Sequence, residues 1–182
     1  MRKRLYVSFY EEEAIDAGGV TREWYSLLSR EIFNPNYALF TATADGTTFQ
    51  PNSYSHFNPE HLRYFKFVGR IIVKAMSDGH LLDAHFTRSF YKHILGIPVS
   101  FHDIEAVEPD YYKSLKQILE FPLELLSLEL TFTAESNEFG EIKTVDLVKN
   151  GSNIAVDDDN KYEYVRLIAH HRMTSGISKQ VC

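Results

Sequence analysis

The sequence has little cysteine: Cys182 is the only one among its 182 residues, and it is the last of them. A single cysteine excludes a framework of disulfide bonds and is typical of a reducing, intracellular compartment such as the cytoplasm or nucleus. Apolar runs are short as well, and none approaches the roughly 20 residues that a membrane-spanning helix needs. No apolar stretch follows the charged N-terminus, so we predict neither a membrane span nor a signal peptide.

Basic residues are scarce relative to acidic ones. Lys and Arg number 19 against 25 Asp and Glu, which gives a net charge of -6, and the one basic cluster is residues 2–4. This balance argues against a nucleic-acid-binding surface. Hydrophobic residues make up 44% of the chain and aromatic residues 14%, which suffices for a packed interior and excludes a disordered protein.

Motifs for small-molecule chemistry are missing. The eight histidines match no metal-ligand spacing, and the adjacent His170 and His171 would point about 100° apart on a helix. An EF-hand calcium loop beginning at Asp157 would need Glu where Ile168 stands. The glycine pair before the first predicted helix belongs to neither GxGxxG nor GxxxxGK[ST], and no serine or threonine lies in a nucleophile elbow. We therefore predict no metal, no cofactor and no catalytic residue in this chain.

Apolar residues recur at three- and four-residue spacing in four segments, a period typical of amphipathic helices. We predict these helices at residues 20–33, 59–78, 87–95 and 111–120. After Pro122 the period changes to two, and leucines alternating with polar residues predict a half-buried strand at 126–132. Further short strands are predicted at 5–9, 143–147 and 153–156, and the acidic run at 157–160 predicts the start of a last helix.

The change of period near Pro98 predicts an α+β fold with two parts. We expect a larger, mainly helical subdomain at residues 1–100, a smaller mixed α/β subdomain at 101–169, and a return helix at 170–182. Large apolar residues occupy more than one face of the helix at 111–120, and the smaller subdomain cannot bury all of them on one side. Two interpretations stay open at this point: a second core shared with the helical part, or an exposed apolar groove for a partner protein.

Several strings along the whole chain, in the right order, resemble the first lobe of the HECT-type ubiquitin ligases. They are DAGGVTREWYSLLSREIFNPNYALF at 16–40, YFKFVGRIIVKAMSDGHLLDAHFTRSFYKHILG at 64–96, SLKQILE at 114–120, LTF at 130–132, FG at 139–140 and DLVKNG at 146–151. The string FTRSFYKHILG resembles the giant Mule-type members and their fungal relatives in particular.

The resemblance implies a two-lobed ligase that accepts ubiquitin from a ubiquitin-conjugating enzyme (E2) onto its own cysteine and passes it to a substrate lysine. The first lobe would dock the E2 through an apolar groove that is open to solvent and receives an aromatic side chain from an E2 loop. Carried over residue by residue, the E2-binding positions are Tyr111, Ser114, Leu115, Ile118, Phe121, Leu128, Leu130, Tyr164 and Ile168.

The catalytic cysteine of the family belongs to the second lobe, in a threonine–cysteine–phenylalanine context. Cys182 follows Val181 and does not match it, so we expect this chain to dock the E2 and to be inactive alone. The expected partners are an E2, ubiquitin, and protein substrates held by regions outside this chain, with no nucleic acid and no membrane. The alternative is a protein-interaction domain that has the same fold and does not bind E2.

Overall fold

The computed structural model describes residues 5–11, 18–138 and 141–181. The chain divides between Phe86 and Thr87 into two compact units, which we call the N-terminal unit and the C-terminal unit. Helices and two small antiparallel sheets make the fold α+β, as predicted. The functional subdomains expected at 1–100, 101–169 and 170–182 stay predictions.

The N-terminal unit contains two long helices and one hairpin. Its elements are α1 (Gly19–Ile32), β1 (Phe40–Ala42), β2 (Phe49–Pro51) and α2 (His61–Asp78), with short 3-10 helices at Pro35–Tyr37 and Ser53–Phe57. β1 and β2 pair antiparallel with Thr41 opposite Gln50. The two predicted helices are confirmed to within two residues at each end, but the strand predicted at residues 5–9 is wrong, since that segment is not in a strand.

Aromatic side chains form the core of the N-terminal unit. The ring of Phe33 lies 5.0 Å from that of Phe40 and 5.5 Å from that of Phe86, and Phe40 in turn lies 5.3 Å from Phe65. Contacts at these centroid distances add to the free energy gained by burying the rings. The hairpin and the two helices are therefore held by one aromatic cluster.

The C-terminal unit is built around two helices and a β-hairpin. Its elements are α3 (Arg88–Ile94), α4 (Pro109–Glu120), α5 (Leu123–Leu126), β3 (Thr133–Glu138), β4 (Glu141–Asp146), α6 (Lys161–Thr174) and α7 (Ser178–Val181), with 3-10 helices at Phe101–Ile104 and Gly151–Asn153. β3 and β4 pair antiparallel with Ala134 opposite Val145. The helices predicted at 87–95 and 111–120 are confirmed, as is the last helix.

The predicted strand at 126–132 is wrong. The structure has the short helix α5 at its start, and Ser127 then adopts a left-handed conformation with φ of 50°. Only the end of the segment pairs: the Val156 N–H donates to the Leu130 carbonyl at 2.8 Å, and the Phe132 N–H donates to the Ile154 carbonyl at 3.1 Å. The alternating leucines thus lie in a turn and an irregular extended segment. The regular strand β3 begins at Thr133, directly after the predicted strand ends.

Buried residues of α4, α5, α6, the 3-10 helix at Phe101–Ile104 and the segments leading into β3 and α6 share one core. They include Ile104, Leu115, Ile118, Leu123, Phe132, Val156, Tyr164, Val165, Ile168 and Met173. The i, i+3 spacing on α4 and the i, i+4 spacing on α6 place these side chains on the facing sides of the two helices. Within the described part of the chain, every helix is too short or too polar to cross a lipid bilayer.

Candidate functional site

A groove lies among α4, α6 and the segment that leads into β3, all within the C-terminal unit. It has a volume of about 380 Å³ and is partly open to solvent. We call it the α4–β3–α6 groove, and it is lined by Tyr111, Glu129, Leu130, Thr131, Thr133, Ala134, Glu135, Tyr164, Ile168, His171, Arg172 and Ser175. Helix α6 supplies four of these residues, and together with Ser175, which follows its last turn, it forms one side of the groove.

The structure brings four of the nine sequence-predicted site residues together in this groove: Tyr111, Leu130, Tyr164 and Ile168. Tyr164 is 7% exposed and Ile168 is 5% exposed, so the expectation that these side chains lie open to solvent is wrong. They form the floor of the groove, with most of each side chain packed into the core behind it. Burial raises the pKa of the Tyr164 hydroxyl, and the nearby Glu135 carboxylate adds to this effect.

The other five predicted residues do not line the groove. Leu115 and Ile118 belong to the core, with 2% and 7% of their surface exposed, which corrects the expectation of a solvent-accessible position. Both face α6 across the helix pair, where the apolar stripe of α4 is covered. Ser114, Phe121 and Leu128 are exposed to solvent outside the groove lining.

Tyr111 lies in the wall of the groove beside Arg172, which also lines it. The Arg172 guanidinium carbon lies 5.3 Å from the centre of the Tyr111 ring, a cation–π contact. The same guanidinium donates from Nε and Nη2 to the two carboxylate oxygens of Glu108, at 3.0 and 2.9 Å. Burial raises the pKa of Tyr111 to about 12, so its hydroxyl stays neutral at physiological pH. This bidentate pair fixes the N-terminal end of α4 against the C-terminal end of α6.

Lys161 makes the matching connection at the opposite ends of these helices. Its ammonium group donates to the Phe121 carbonyl at 2.9 Å and to the Asp158 carboxylate at 2.7 Å. The same Asp158 oxygen accepts from the Leu123 N–H at 3.3 Å. The hydrogen bond from Lys161 and the one from Leu123 lower the pKa of Asp158 against the effect of desolvation. With both ends fixed, the wall and the floor of the groove keep their spacing.

Comparison with known proteins identifies the family. The family described as HECT-domain (ubiquitin-transferase) matches residues 26–182. This chain belongs to the HECT-domain family. UPL2, an E3 ubiquitin-protein ligase of Arabidopsis thaliana, is 52% identical over 188 residues, which cover 100% of this chain and 5% of the plant protein.

A fungal and a mammalian relative match the HECT chain equally well. The TOM1-like E3 ubiquitin-protein ligase of Neurospora crassa is 51% identical over 179 residues, covering 98% of this chain and 4% of its own length. HUWE1 of Mus musculus, also an E3 ubiquitin-protein ligase, is 51% identical over 182 residues, covering 100% of this chain and 4% of its own length. The resemblance to Mule-type and fungal members is thereby confirmed. The chain spans a small part of each relative.

Sequence reasoning missed most of the residues that line the groove in this HECT chain. Thr133, Ala134 and Glu135 escaped because the strand was placed seven residues too early. His171, Arg172 and Ser175 could have been found from spacing alone, because on α6 and its continuation they follow Tyr164 and Ile168 on one helical face. Extending that face by two turns predicts the full α6 side of the groove.

The groove of this HECT chain combines an apolar floor, Tyr164 and Ile168, with polar side chains around it. In residues 5–11, 18–138 and 141–181, no group of three or more His, Cys, Asp or Glu side chains could hold a metal ion. Cys182 lies outside the described residues, as do Phe139 and Gly140 of the family-like strings. An apolar floor with a polar rim is the usual anatomy of a protein–protein contact.

Proposed function

We propose that this chain docks a ubiquitin-charged E2 as part of an intracellular HECT-type E3 ubiquitin ligase. Ubiquitin then passes to a cysteine in a second lobe and from there to a substrate lysine. The observation that carries the proposal is the α4–β3–α6 groove, which unites four of the residues expected at the E2 contact. Membership of a family described as ubiquitin-transferases supports it, because HECT-type ligases in general work with ubiquitin and an E2.

The groove has the physical properties of a docking site for an apolar side chain. Its floor, Tyr164 and Ile168, is fixed by the core, and its wall, Tyr111, is fixed by Arg172. Residues that are already ordered lose little conformational entropy when a partner binds. An aromatic side chain from a partner loop would be desolvated on several sides there, and such central contacts dominate the binding energy of interfaces.

Leu130→Ala is expected to weaken E2 binding by about 1–3 kcal/mol, the usual effect of truncating a central apolar contact. Leu130 is the residue of choice because it is only half-buried, whereas Leu115 and Ile118 cannot be truncated without loosening the core. Its backbone carbonyl accepts from Val156, and alanine keeps this bond. The affinities of wild type and variant for a panel of E2 enzymes, determined by calorimetry, test the prediction.

Leu125→Ala is the matched control. It removes the same atoms from a leucine that is 74% exposed on α5 and does not line the groove, so E2 affinity should not change. Unchanged binding by a folded Leu130→Ala variant would show that the E2 docks elsewhere. If the wild type binds no E2 of the panel, the chain is the interaction domain that does not bind E2.

Ubiquitin is expected to form no thioester with this chain. Thioester exchange needs a thiolate set against the incoming carbonyl, and Cys182 lacks the threonine that precedes the family's catalytic cysteine. The chain is incubated with E1, E2, ATP and ubiquitin and resolved on a non-reducing gel. A ubiquitin adduct that reducing agent removes, and that Cys182→Ser abolishes, would contradict this expectation.

A further inference from the structure

The rim of the α4–β3–α6 groove carries two acidic side chains. Glu129 and Glu135 both line the groove, and both are exposed to solvent. Across residues 5–11, 18–138 and 141–181, neither carboxylate forms an ion pair with another side chain. The groove therefore presents two uncompensated negative charges beside its apolar floor.

The basic residues of the groove do not neutralise these charges. The Arg172 guanidinium already binds both carboxylate oxygens of Glu108. The pKa of His171 is lowered, first by burial and then by the neighbouring His170 and Arg172, so its imidazole is largely uncharged at neutral pH. A partner that enters the groove therefore meets two carboxylates on the β3 side, whereas the Arg172 guanidinium on the α6 side is already engaged with Glu108.

We infer that Glu129 and Glu135 select, among E2 enzymes, those whose docking loop carries Lys or Arg beside the apolar side chain that enters the groove. This inference rests on the proposed function. Charge complementarity at an interface rim accelerates encounter and suppresses wrong partners, while the desolvated centre supplies most of the affinity. The floor of the groove thus holds an E2, and its rim discriminates between E2 enzymes.

The charge of the rim also disfavours other occupants. A second copy of this chain brings a net charge of -6 toward the two carboxylates. Nucleic acid, a polyanion, meets the same repulsion. A basic loop on a folded partner protein complements the negative charges of Glu129 and Glu135.

Association and dissociation rates test the inference. Wild type, Glu129→Gln, Glu135→Gln and the double variant are measured by surface plasmon resonance against E2 enzymes whose docking loops have or lack the flanking basic residue. With basic loops, each substitution should slow association by about two- to fivefold and leave dissociation nearly unchanged, as rim charges do. Raising the salt concentration should slow the association of the wild type more than that of the double variant, because salt screens exposed charges.

Two controls separate the rim charges from charge in general. Glu124→Gln removes one exposed carboxylate from α5, outside the groove, and should leave all rates unchanged. Glu135→Lys should lose binding to a basic-loop E2 and regain it when the flanking Lys or Arg of that E2 is replaced by Glu. A merely structural role of Glu135 gives no such recovery.

Each outcome decides the matter. Slower association confined to basic-loop E2 enzymes, with recovery by the charge swap, supports the inference. Equal rates for wild type, Glu129→Gln and Glu135→Gln overturn it, while Leu130→Ala still reports on docking itself. If no E2 binds the wild type, both the inference and the proposed function are overturned.

Discussion

Gly151→Ala is expected to lower the free energy of unfolding of the C-terminal unit by about 3 kcal/mol or more, at the upper end of single substitutions. A Cβ atom at this position would lie 2.2 Å from the carbonyl oxygen of Phe132 and 3.0 Å from its carbonyl carbon. These are backbone atoms and cannot rotate away. The Phe132 N–H donates to the carbonyls of Gly151 and Ile154, and its carbonyl accepts from the Leu147 N–H. To make room for the Cβ atom, the backbone at Phe132 would have to move away from the backbone at Gly151, which would strain these hydrogen bonds.

Hydrogen exchange checks this expectation, because it reports on each unit separately. Amides of α4 and α6 should exchange faster in Gly151→Ala, and E2 binding should fall with them, since Thr131 and Thr133 on either side of Phe132 line the groove. Gly69→Ala is the control: a Cβ there meets no atom within 4 Å, and alanine favours the helix. Protection of α4 and α6 equal to that of wild type in Gly151→Ala would contradict the prediction.

The helices could be predicted because each carries its own signal. In α2 the apolar period runs from the first turn to a glycine at the C-terminal end, and Gly79 does adopt the left-handed conformation with φ of 76°. In α6 the acidic run precedes the first turn, where the Asp157 carboxylate accepts from the N–H groups of Asp159 and Asn160. Periodicity and end signals are local, so they can be recognised without knowledge of the tertiary structure.

The part of the site that was predicted wrongly depends on which residues pack against each position in the folded unit. Leucines at every second position predict a strand, but a left-handed Ser127 redirects the chain, and no local pattern announced it. Because apolar residues lie on two faces of α4, the sequence alone could not decide whether they form a core or line a groove. The structure resolves this residue by residue: Leu115 and Ile118 are covered, whereas Tyr111 reaches the groove. Burial depends on how the elements pack against one another, and the apolar period of a single helix does not specify this packing.

Asp103 gave no signal in the sequence, yet Asp103→Asn is expected to lower the free energy of unfolding of the C-terminal unit by about 3 kcal/mol at neutral pH, as for a broken buried ion pair. Its side chain is 1% exposed and accepts from Lys92 Nζ at 2.6 Å. It also accepts from the Ser100 N–H at 2.7 Å and the Ser100 hydroxyl at 2.9 Å. These bonds tie α3 to the 3-10 helix at Phe101–Ile104, which packs against α4 and α6. Asparagine leaves the partly buried ammonium group without its counter-charge.

The pH dependence of this loss has a definite sign. Burial alone would raise the pKa of Asp103, but the bonds from Lys92 and Ser100 outweigh it and hold the pKa below the ordinary value of 3.8. A carboxyl group with a lowered folded-state pKa stabilises the fold above the unfolded-state pKa, and this contribution is lost as the pH falls through the folded-state pKa. The stability difference between wild type and Asp103→Asn should therefore be constant near neutral pH and narrow below pH 3.8.

Urea unfolding followed by circular dichroism, from neutral pH down to about pH 3, measures this difference, since every other carboxyl group is common to both proteins and cancels. Asp159→Asn, at an exposed position of the same unit, should stay within about 1 kcal/mol of the wild type throughout, the usual contribution of an exposed carboxylate at a helix N-terminus. Removing both charges in Asp103→Asn with Lys92→Met should recover part of the loss, because no unpaired ammonium group then remains buried. A difference between wild type and Asp103→Asn that stays constant through the acid range would show that the carboxylate charge contributes nothing to holding α3 against the rest of the unit.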